Sequence, residues 1–151
     1  MKTRYARLVA AGLIVRHADE ATDLQWLAAH DGHLGEAALR RKIRDGEVVV
    51  AVRAQGELVG LLRLDHLWSV LPHIAQVRVL EPHRRQGVGR ALVAFVEAET
   101  RRNGGRKLLS STRPDYTGPQ EWHRRIGFTE CGSLAGFGPS GEPVMFFLKE
   151  L

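Results

Sequence analysis

The sequence predicts an α/β fold built on one mixed sheet with helices on its faces. Three observations carry this. Short runs rich in β-branched and aliphatic residues alternate with segments whose apolar residues recur three and four positions apart. Turn residues punctuate the boundaries, with Gly46, Gly56, Pro82, Gly104-Gly105 and Gly127 each ending a periodic segment. Finally, a helical pattern separates the strand patterns at 73–80 and 107–112, so those two strands are expected to be parallel neighbours joined by a crossover.

The elements follow in order. Gly12–Arg16 reads as the first strand. Thr22-Asp23-Leu24-Gln25 has the form of a capping box, in which the Thr hydroxyl and the Gln amide satisfy free backbone N–H groups, so a helix starts there and buries Leu24, Leu27 and Ala28. A second helix is expected over Gly35–Arg44, with Ala38, Leu39 and Ile43 inward and Arg40, Arg41 and Arg44 outward. Glu47–Ala54 and Leu58–Asp65, separated by Gln55-Gly56-Glu57, read as an antiparallel hairpin. His73–Leu80 is a strand stopped by Pro82. Val88, Ala91, Leu92, Phe95 and Val96 define an amphipathic helix ending near Asn103. Lys107–Thr112 is a strand, Pro119–Ile126 a short helix, and Phe128–Cys131 and Val144–Lys149 the last two strands, joined by a glycine-rich loop. The expected order is β-α-α-β-β-β-α-β-α-β-β.

The chain has 151 residues, a length suited to one domain. Residues 1–11 are read as an N-terminal extension and 12–151 as a single domain. Apolar residues make up 44% and charged residues 26%, the balance of a globular rather than a disordered chain. The lone Cys131 rules out an intrachain disulfide and a cysteine-based zinc site, and suits a cytoplasmic location. The longest apolar run, Leu8–Val15, is far shorter than the roughly 20 residues of a membrane-spanning helix, so no membrane role is expected. Lys2, Arg4 and Arg7 ahead of this run give it a faint likeness to a signal peptide, but no small-residue cleavage site follows.

The net charge is +5, and it is localised. Residues 78–107 hold eight Lys and Arg against three acids, whereas the rest of the chain balances. Within that stretch, Leu80-Glu81-Pro82-His83-Arg84-Arg85-Gln86-Gly87-Val88-Gly89-Arg90 carries a strand into a basic glycine-containing loop and straight into a helix. The first N–H groups of a helix lack intrahelical partners, and the helix dipole adds partial positive charge there. Gly87 and Gly89 present no side chain to block a ligand. The pattern is that of an anion site, phosphate above all, with Arg84, Arg85 and Arg90 as counter-charges. Two familiar phosphate motifs do not fit. The third glycine of a dinucleotide fingerprint is missing, and no Gly-Lys-Ser/Thr follows.

At these residues the sequence resembles the GNAT superfamily of acetyl-CoA-dependent N-acetyltransferases. Their Gln/Arg-x-x-Gly-x-Gly/Ala signature is met by Arg84-Arg85-Gln86-Gly87-Val88-Gly89, after Val79-Leu80-Glu81-Pro82. A second marker, a short helix ending aromatic-Tyr-x-x-x-Gly-Phe, is met by Trp122-His123-Arg124-Arg125-Ile126-Gly127-Phe128 with His in place of Tyr. The element order is also that family's. The resemblance spans about residues 12–150. It implies a splayed central pair of parallel strands, with the pantetheine arm of acetyl-CoA held by the backbone of Val77 and Val79 and the pyrophosphate on Gln86, Gly87, Val88, Gly89 and Arg90. Coenzyme A would be the product. The acceptor would be a primary amine on a small molecule, a peptide or a protein, and a homodimer is common among similar proteins.

Direct attack by a neutral amine on the thioester requires a base for the amine proton, an N–H donor for the oxyanion and an acid for the departing thiolate. The resemblance gives the acid's position to His123, with Tyr116 as a substitute, and the base's position to His73. Packing alone accounts equally well for either histidine. Asp65, His66, Asp115 and Glu121 are further base candidates. His30-x-x-His33 lacks further ligands at suitable spacing, so no metal is expected. Ser110 and Ser111 lack the frame of a hydrolase nucleophile. Two rival readings are a catalytically silent acyl-CoA-binding module of the same fold and a basic nucleic-acid-binding domain. The second is disfavoured because only 7% of residues are aromatic, too few for a stacking surface.

Overall fold

A computed structural model describes residues 7–10 and 12–151. The order of elements is β1 (Arg7–Ala10), β2 (Leu13–His17), α1 (Glu20–His30), α2 (Glu36–Arg44), β3 (Val48–Val52), β4 (Leu58–Leu67), β5 (Leu71–Val79), α3 (Val88–Arg102), β6 (Lys107–Thr112), α4 (Thr117–Arg125), β7 (Thr129–Leu134) and β8 (Val144–Glu150). This is the expected mixed α/β order with one strand added in front. Residues 7–10, read from sequence as part of an extension, form β1 and pair antiparallel with β2, Val9 opposite Ile14. The other residues of the expected extension lie outside the described ones. Among the described residues no helix is long and apolar enough to cross a membrane.

The chain divides into two compact units. The first comprises the described residues up to Leu64 together with Gln76–Val96. Its strands follow the order β1-β2-β3-β4-β5, and β2, β3 and β4 pair antiparallel. Every residue of β3 is buried, as its unbroken Val-Val-Val-Ala-Val run suggests. Leu24 and Leu27 of α1 and Leu39 and Ile43 of α2 pack on Val48, Val50, Val52 and Leu61. Ala28, expected inside, is exposed. Helix α1 also starts earlier than the Thr22 box predicts. Asp19 is the N-cap, its Oδ1 accepting from the N–H of Ala21 at 2.8 Å, while the Asp19 N–H donates to Asp23 Oδ2 at 2.7 Å. The reciprocal cap is therefore made by two aspartates, and Asp outranks Thr as a cap residue. Burial opposes ionisation of Asp23, but the Arg16 guanidinium at 2.6 Å and the Asp19 N–H outweigh it and hold the carboxyl below its usual range.

Five further hydrogen bonds fix the connection between α1 and α2. Asp31, buried after α1, accepts from the N–H of His33 and Leu34 on Oδ1 and from Arg63 Nε on Oδ2 at 2.8 Å. Gln76 and Arg78 of β5 donate to the carbonyls of Asp31 and His30, both at 2.7 Å. The α1–α2 connection is thereby tied to β4 and β5. Gly60 on β4 sits where a Cβ would lie 3.1 Å from the Arg78 carbonyl oxygen, 3.1 Å from Val88 Cγ1 and 3.3 Å from Leu92 Cδ1. Any side chain there would press on α3 and the β5 backbone, so the glycine eases the close approach of α3 to β4.

The second unit comprises Asp65–Ala75 and Glu97–Leu151, with strand order β5-β6-β8-β7. β5 and β6 are parallel, as the crossover predicts, with His73 opposite Leu109 and Ile74 opposite Ser110. β4 turns into β5 through Trp68 and Ser69, both at positive φ (50° and 61°), with the Val70 N–H donating to the Leu67 carbonyl at 3.0 Å. That is the two-residue connection whose twist matches a hairpin. β6 pairs with β8 and β8 with β7, both antiparallel. Leu108, Ile126, Phe128, Met145 and Phe147 form the buried centre. Lys149 Nζ reaches Glu97 at 2.5 Å and the Ile126 carbonyl at 2.7 Å, closing α4 against β8.

Gly60→Val places methyl groups against backbone and two packed side chains. It should cost about 1–3 kcal/mol, as overpacked sites do, measured by urea denaturation. Stability unchanged from wild type would show that α3 can retreat freely.

Candidate functional site

In the first unit, β5 delivers the chain to the basic loop. Gln76 and Arg78 are committed to the α1–α2 connection, and alternation along the strand sends Val77 and Val79 the other way. Both valines are half-buried. Pro82 ends the strand within a short 3-10 turn, Glu81–His83. Arg85 and Gly87 then adopt positive φ, 60° and 81°. The first bond of α3 runs from the Ala91 N–H to the Gly87 carbonyl at 2.9 Å. The N–H groups of Val88, Gly89 and Arg90 consequently have no carbonyl behind them within the helix.

The space is suited to an anion. A Cβ at Gly87 would meet nothing within 4 Å. The first turn of α3 carries no acidic residue. Val88 is buried and anchors the turn, while Arg84, Arg85, Gln86 and Arg90 are exposed. The side chains differ in what they do. Arg84 Nε donates to the Val79 carbonyl at 3.0 Å and so pins the loop to the strand end. Gln86 Nε2 donates to the Pro82 carbonyl at 3.1 Å, and its Oε1 accepts from Arg53 Nη2 at 2.9 Å. Gln86 thus contributes its backbone to the loop's open side, its side chain being engaged within the protein. These residues fit the phosphates of a nucleotide: unbonded N–H groups, open space and cationic surroundings with no carboxylate in the turn.

In the second unit, two histidines each meet a serine. His123, on α4, is 6% exposed. Its Nδ1 lies 2.6 Å from the Pro119 carbonyl, which can only accept, so Nδ1 carries the proton. Its Nε2 lies 2.7 Å from Ser110 Oγ and accepts the hydroxyl proton. The ring stacks on Phe147 at 4.9 Å and 15° and meets Phe128 edge-on. Burial pushes its pKa below the usual histidine value, against the opposing pull of the Pro119 carbonyl. His73, half-buried at the start of β5, has Nε2 2.8 Å from Ser111 Oγ and its ring 5.9 Å from Phe146. Successive residues of a strand face opposite ways, so Ser110 and Ser111 serve opposite faces of β6.

The remaining candidates are less gathered. Tyr116, just ahead of α4, is 49% exposed with the Arg113 guanidinium 4.9 Å above its ring. Asp115 accepts from Arg113, and that hydrogen bond holds its carboxyl below the usual range, which makes it a weaker base. Asp65 and His66 lie near the end of β4, and Glu121 is exposed on α4. Sequence reading weighed Ser110 and Ser111 only as nucleophiles. Their signal was a run of three hydroxyl residues, Ser110-Ser111-Thr112, following the buried Leu108 and Leu109. Arg53, thirty-three residues from Gln86, gave no signal at all.

Comparison with known proteins gives the family. The profile of the acetyltransferase (GNAT) family matches residues 15–128. Aminoglycoside N(6')-acetyltransferase type 1 from Stenotrophomonas maltophilia is 31% identical over 151 residues, covering 90% of this chain and 99% of that protein. Among solved structures, ribosomal-protein-alanine N-acetyltransferase from Brucella melitensis is 27% identical with a TM-score of 0.76, covering 91% of this chain and 99% of that one. A GNAT family acetyltransferase from Elizabethkingia anophelis with acetyl-CoA bound shares the fold at 18% identity and a TM-score of 0.75, over 94% and 100% of the two chains. The chain belongs to the acetyltransferase (GNAT) family, N-acetyltransferases whose acetyl donor is acetyl-CoA.

Proposed function

We propose that this protein transfers an acetyl group from acetyl-CoA to a primary amine by direct attack. The observation that supports this best is the start of α3. There three helix N–H groups stand unbonded beside an open glycine, in a loop that carries the family signature. In this reading the N–H groups of Val88, Gly89 and Arg90, with Gln86 and Gly87 before them, hold the pyrophosphate, and Arg84, Arg85 and Arg90 balance its charge. The backbone of Val77 and Val79 orients the pantetheine arm by strand-like addition. The Val79 N–H is the proposed donor to the developing oxyanion. The amine acceptor belongs to a small molecule or a peptide. Two relatives are named as N-acetyltransferases, of an aminoglycoside and of a ribosomal-protein alanine, and a third as a streptothricin acetyltransferase, which supports an amine acceptor. Residues 12–151 act as one catalytic domain in this proposal, in the cytoplasm.

His123 is the proposed acid for the departing thiolate and His73 the proposed base, with Tyr116 the alternative acid. The hydrogen bonds constrain the first role. At rest His123 is a neutral imidazole, and it can give a proton to the thiolate only after taking one on Nε2, the nitrogen that holds Ser110. Its lowered pKa thins the protonated fraction at neutral pH. His73, with Nε2 against Ser111, is oriented to accept a proton that passes through the serine hydroxyl.

Incubation with acetyl-CoA and a panel of amines, comprising an aminoglycoside, a streptothricin and a peptide N-terminus, should release free thiol with at least one. Tight acetyl-CoA binding without thiol release from any amine would leave the silent binding module as the reading. Gly89→Glu puts bulk and negative charge at the phosphate position, and calorimetry should show acetyl-CoA binding abolished. Retained micromolar affinity would remove the loop from the site. An acid role for His123 predicts that turnover is lower in His123→Ala with cofactor affinity nearly kept, and that wild-type kcat depends on pH between 6 and 9. A flat profile would exclude it.

The same titration predicts a stability change. The native pKa of His123 lies below the unfolded value of about 6.5, so its neutral form favours the fold fully above that value. As pH falls from there toward the native pKa, the unfolded chain takes up a proton that the native site resists, and stability is lost. Urea denaturation should therefore show the gap between wild type and His123→Gln narrowing from pH 8 to pH 5.5. A constant gap would mean that His123 protonates equally in both states.

A further inference from the structure

We infer that the turn between β3 and β4 is a brace for the cofactor loop, and that Arg53 is a positioning residue for acetyl-CoA acting through Gln86. This rests on the reading of residues 84–90 as the pyrophosphate cradle. The loop from Pro82 to Gly87 is a stretch of irregular backbone with two positive-φ residues, Arg85 and Gly87. Non-glycine residues adopt such φ values only where surrounding contacts hold them. Some of those contacts are local. Arg84 donates to the Val79 carbonyl, and Gln86 Nε2 donates to the Pro82 carbonyl.

The others come from one distant turn. Arg53, where β3 leaves the sheet, donates from Nη2 to Gln86 Oε1 at 2.9 Å. Glu57, at the other side of that turn, faces His83 Nε2 at 3.4 Å. The turn itself is closed by the Arg53 N–H donating to the Glu57 carbonyl at 2.8 Å and the Gly56 N–H to the Arg53 carbonyl at 3.3 Å. Two side chains of a closed turn therefore grip both ends of the six-residue loop. Gln86 is the central link, since its amide bonds at once to Arg53 and to the loop's own Pro82. With both side-chain amide atoms engaged, Gln86 ties the loop backbone at Pro82 to the distant turn. The N–H groups that follow are aimed before any ligand arrives, which lowers the ordering cost of binding. Because the bond from Arg53 to Gln86 is charge-assisted, it is worth more than a neutral one.

The test is a double-mutant cycle on Arg53→Ala, Gln86→Ala and the pair, in the full chain. It measures KM for acetyl-CoA, kcat and the melting temperature of the ligand-free protein. Each single change should raise KM for acetyl-CoA about five- to tenfold, with kcat and melting temperature nearly constant, and the pair should match either single change. Arg53→Lys, which keeps a cationic donor, should recover part of the loss. The proposal is overturned if the two effects multiply, since Arg53 would then act on the ligand independently of Gln86. It is also overturned if KM stays at the wild-type value, or if kcat or melting temperature falls in step with it. Gly89→Glu serves as the control. If that variant keeps its affinity, the cradle reading fails, whereas a failed cycle beside a disabled Gly89→Glu variant removes the brace alone.

Discussion

The N–H groups at the start of α3, with no carbonyl behind them within the helix, are held in place by the rest of the first unit. They exist because a helix cannot satisfy its own first turn, and they are useful only if the turn is held still and kept open. Gly60 meets the first condition by letting Val88 and Leu92 settle against β4 at a distance where a Cβ would crowd them. Gly87 meets the second, with free space where its side chain would stand. The loop between strand and helix is then locked by Arg84 and Gln86. The net positive charge of the chain is concentrated around this turn and along the helix behind it. Arg85 and Arg90 remain exposed at the turn, whereas Arg101 and Arg102 sit at the other end of the helix, where they suit the negative pole of its dipole.

A second buried arrangement governs the approach to β5. The Asp31–Arg63 pair is almost wholly withdrawn from water, with side-chain exposures of 1% and 7%. Such a pair survives only when its remaining polar atoms are also met. Asp31 achieves this through the N–H groups of His33 and Leu34, and Gln76 takes its carbonyl. The result is specificity of position more than net stability. The α1–α2 connection, an irregular segment between two helices, is fixed to the strands beside it. In the second unit the comparable device is neutral. His123 bridges the Pro119 carbonyl on its own helix and Ser110 on β6 while stacking on Phe147. A phenol at that position would present a single hydroxyl in place of two ring nitrogens and could not make the same two-sided bridge.

Much of this was legible in the chain. The helical period of 88–96, the parallel crossover and the hairpin at residue 56 follow from apolar spacing and turn residues, and the structure has them. The loop from strand to helix could be placed because its determinants are local: strand end, glycines and helix start lie within a dozen residues. The readings that missed were those in which two local signals compete. Thr22 offered a cap, but Asp19 lay three residues earlier with Asp23 to answer it. Ala28 fitted the periodic stripe, yet the buried stripe of α1 is narrow. Strand β1 forms by pairing with β2, a hairpin that the apolar run from Leu8 to Val15 disguised as one segment.

The sequence by itself determined the fold class, through periodicity, and the family, through the resemblance carried by its 84–89 and 122–128 motifs, because both depend on residues near one another in the chain. The tertiary structure decided what the polar side chains do. Whether His123 carries its proton on Nδ1, whether Gln86 faces ligand or protein, and which arginine reaches the loop all depend on partners 4 to 33 residues away. Hydrogen bonds act over about 3 Å, and only the folded chain brings such distant groups within that range.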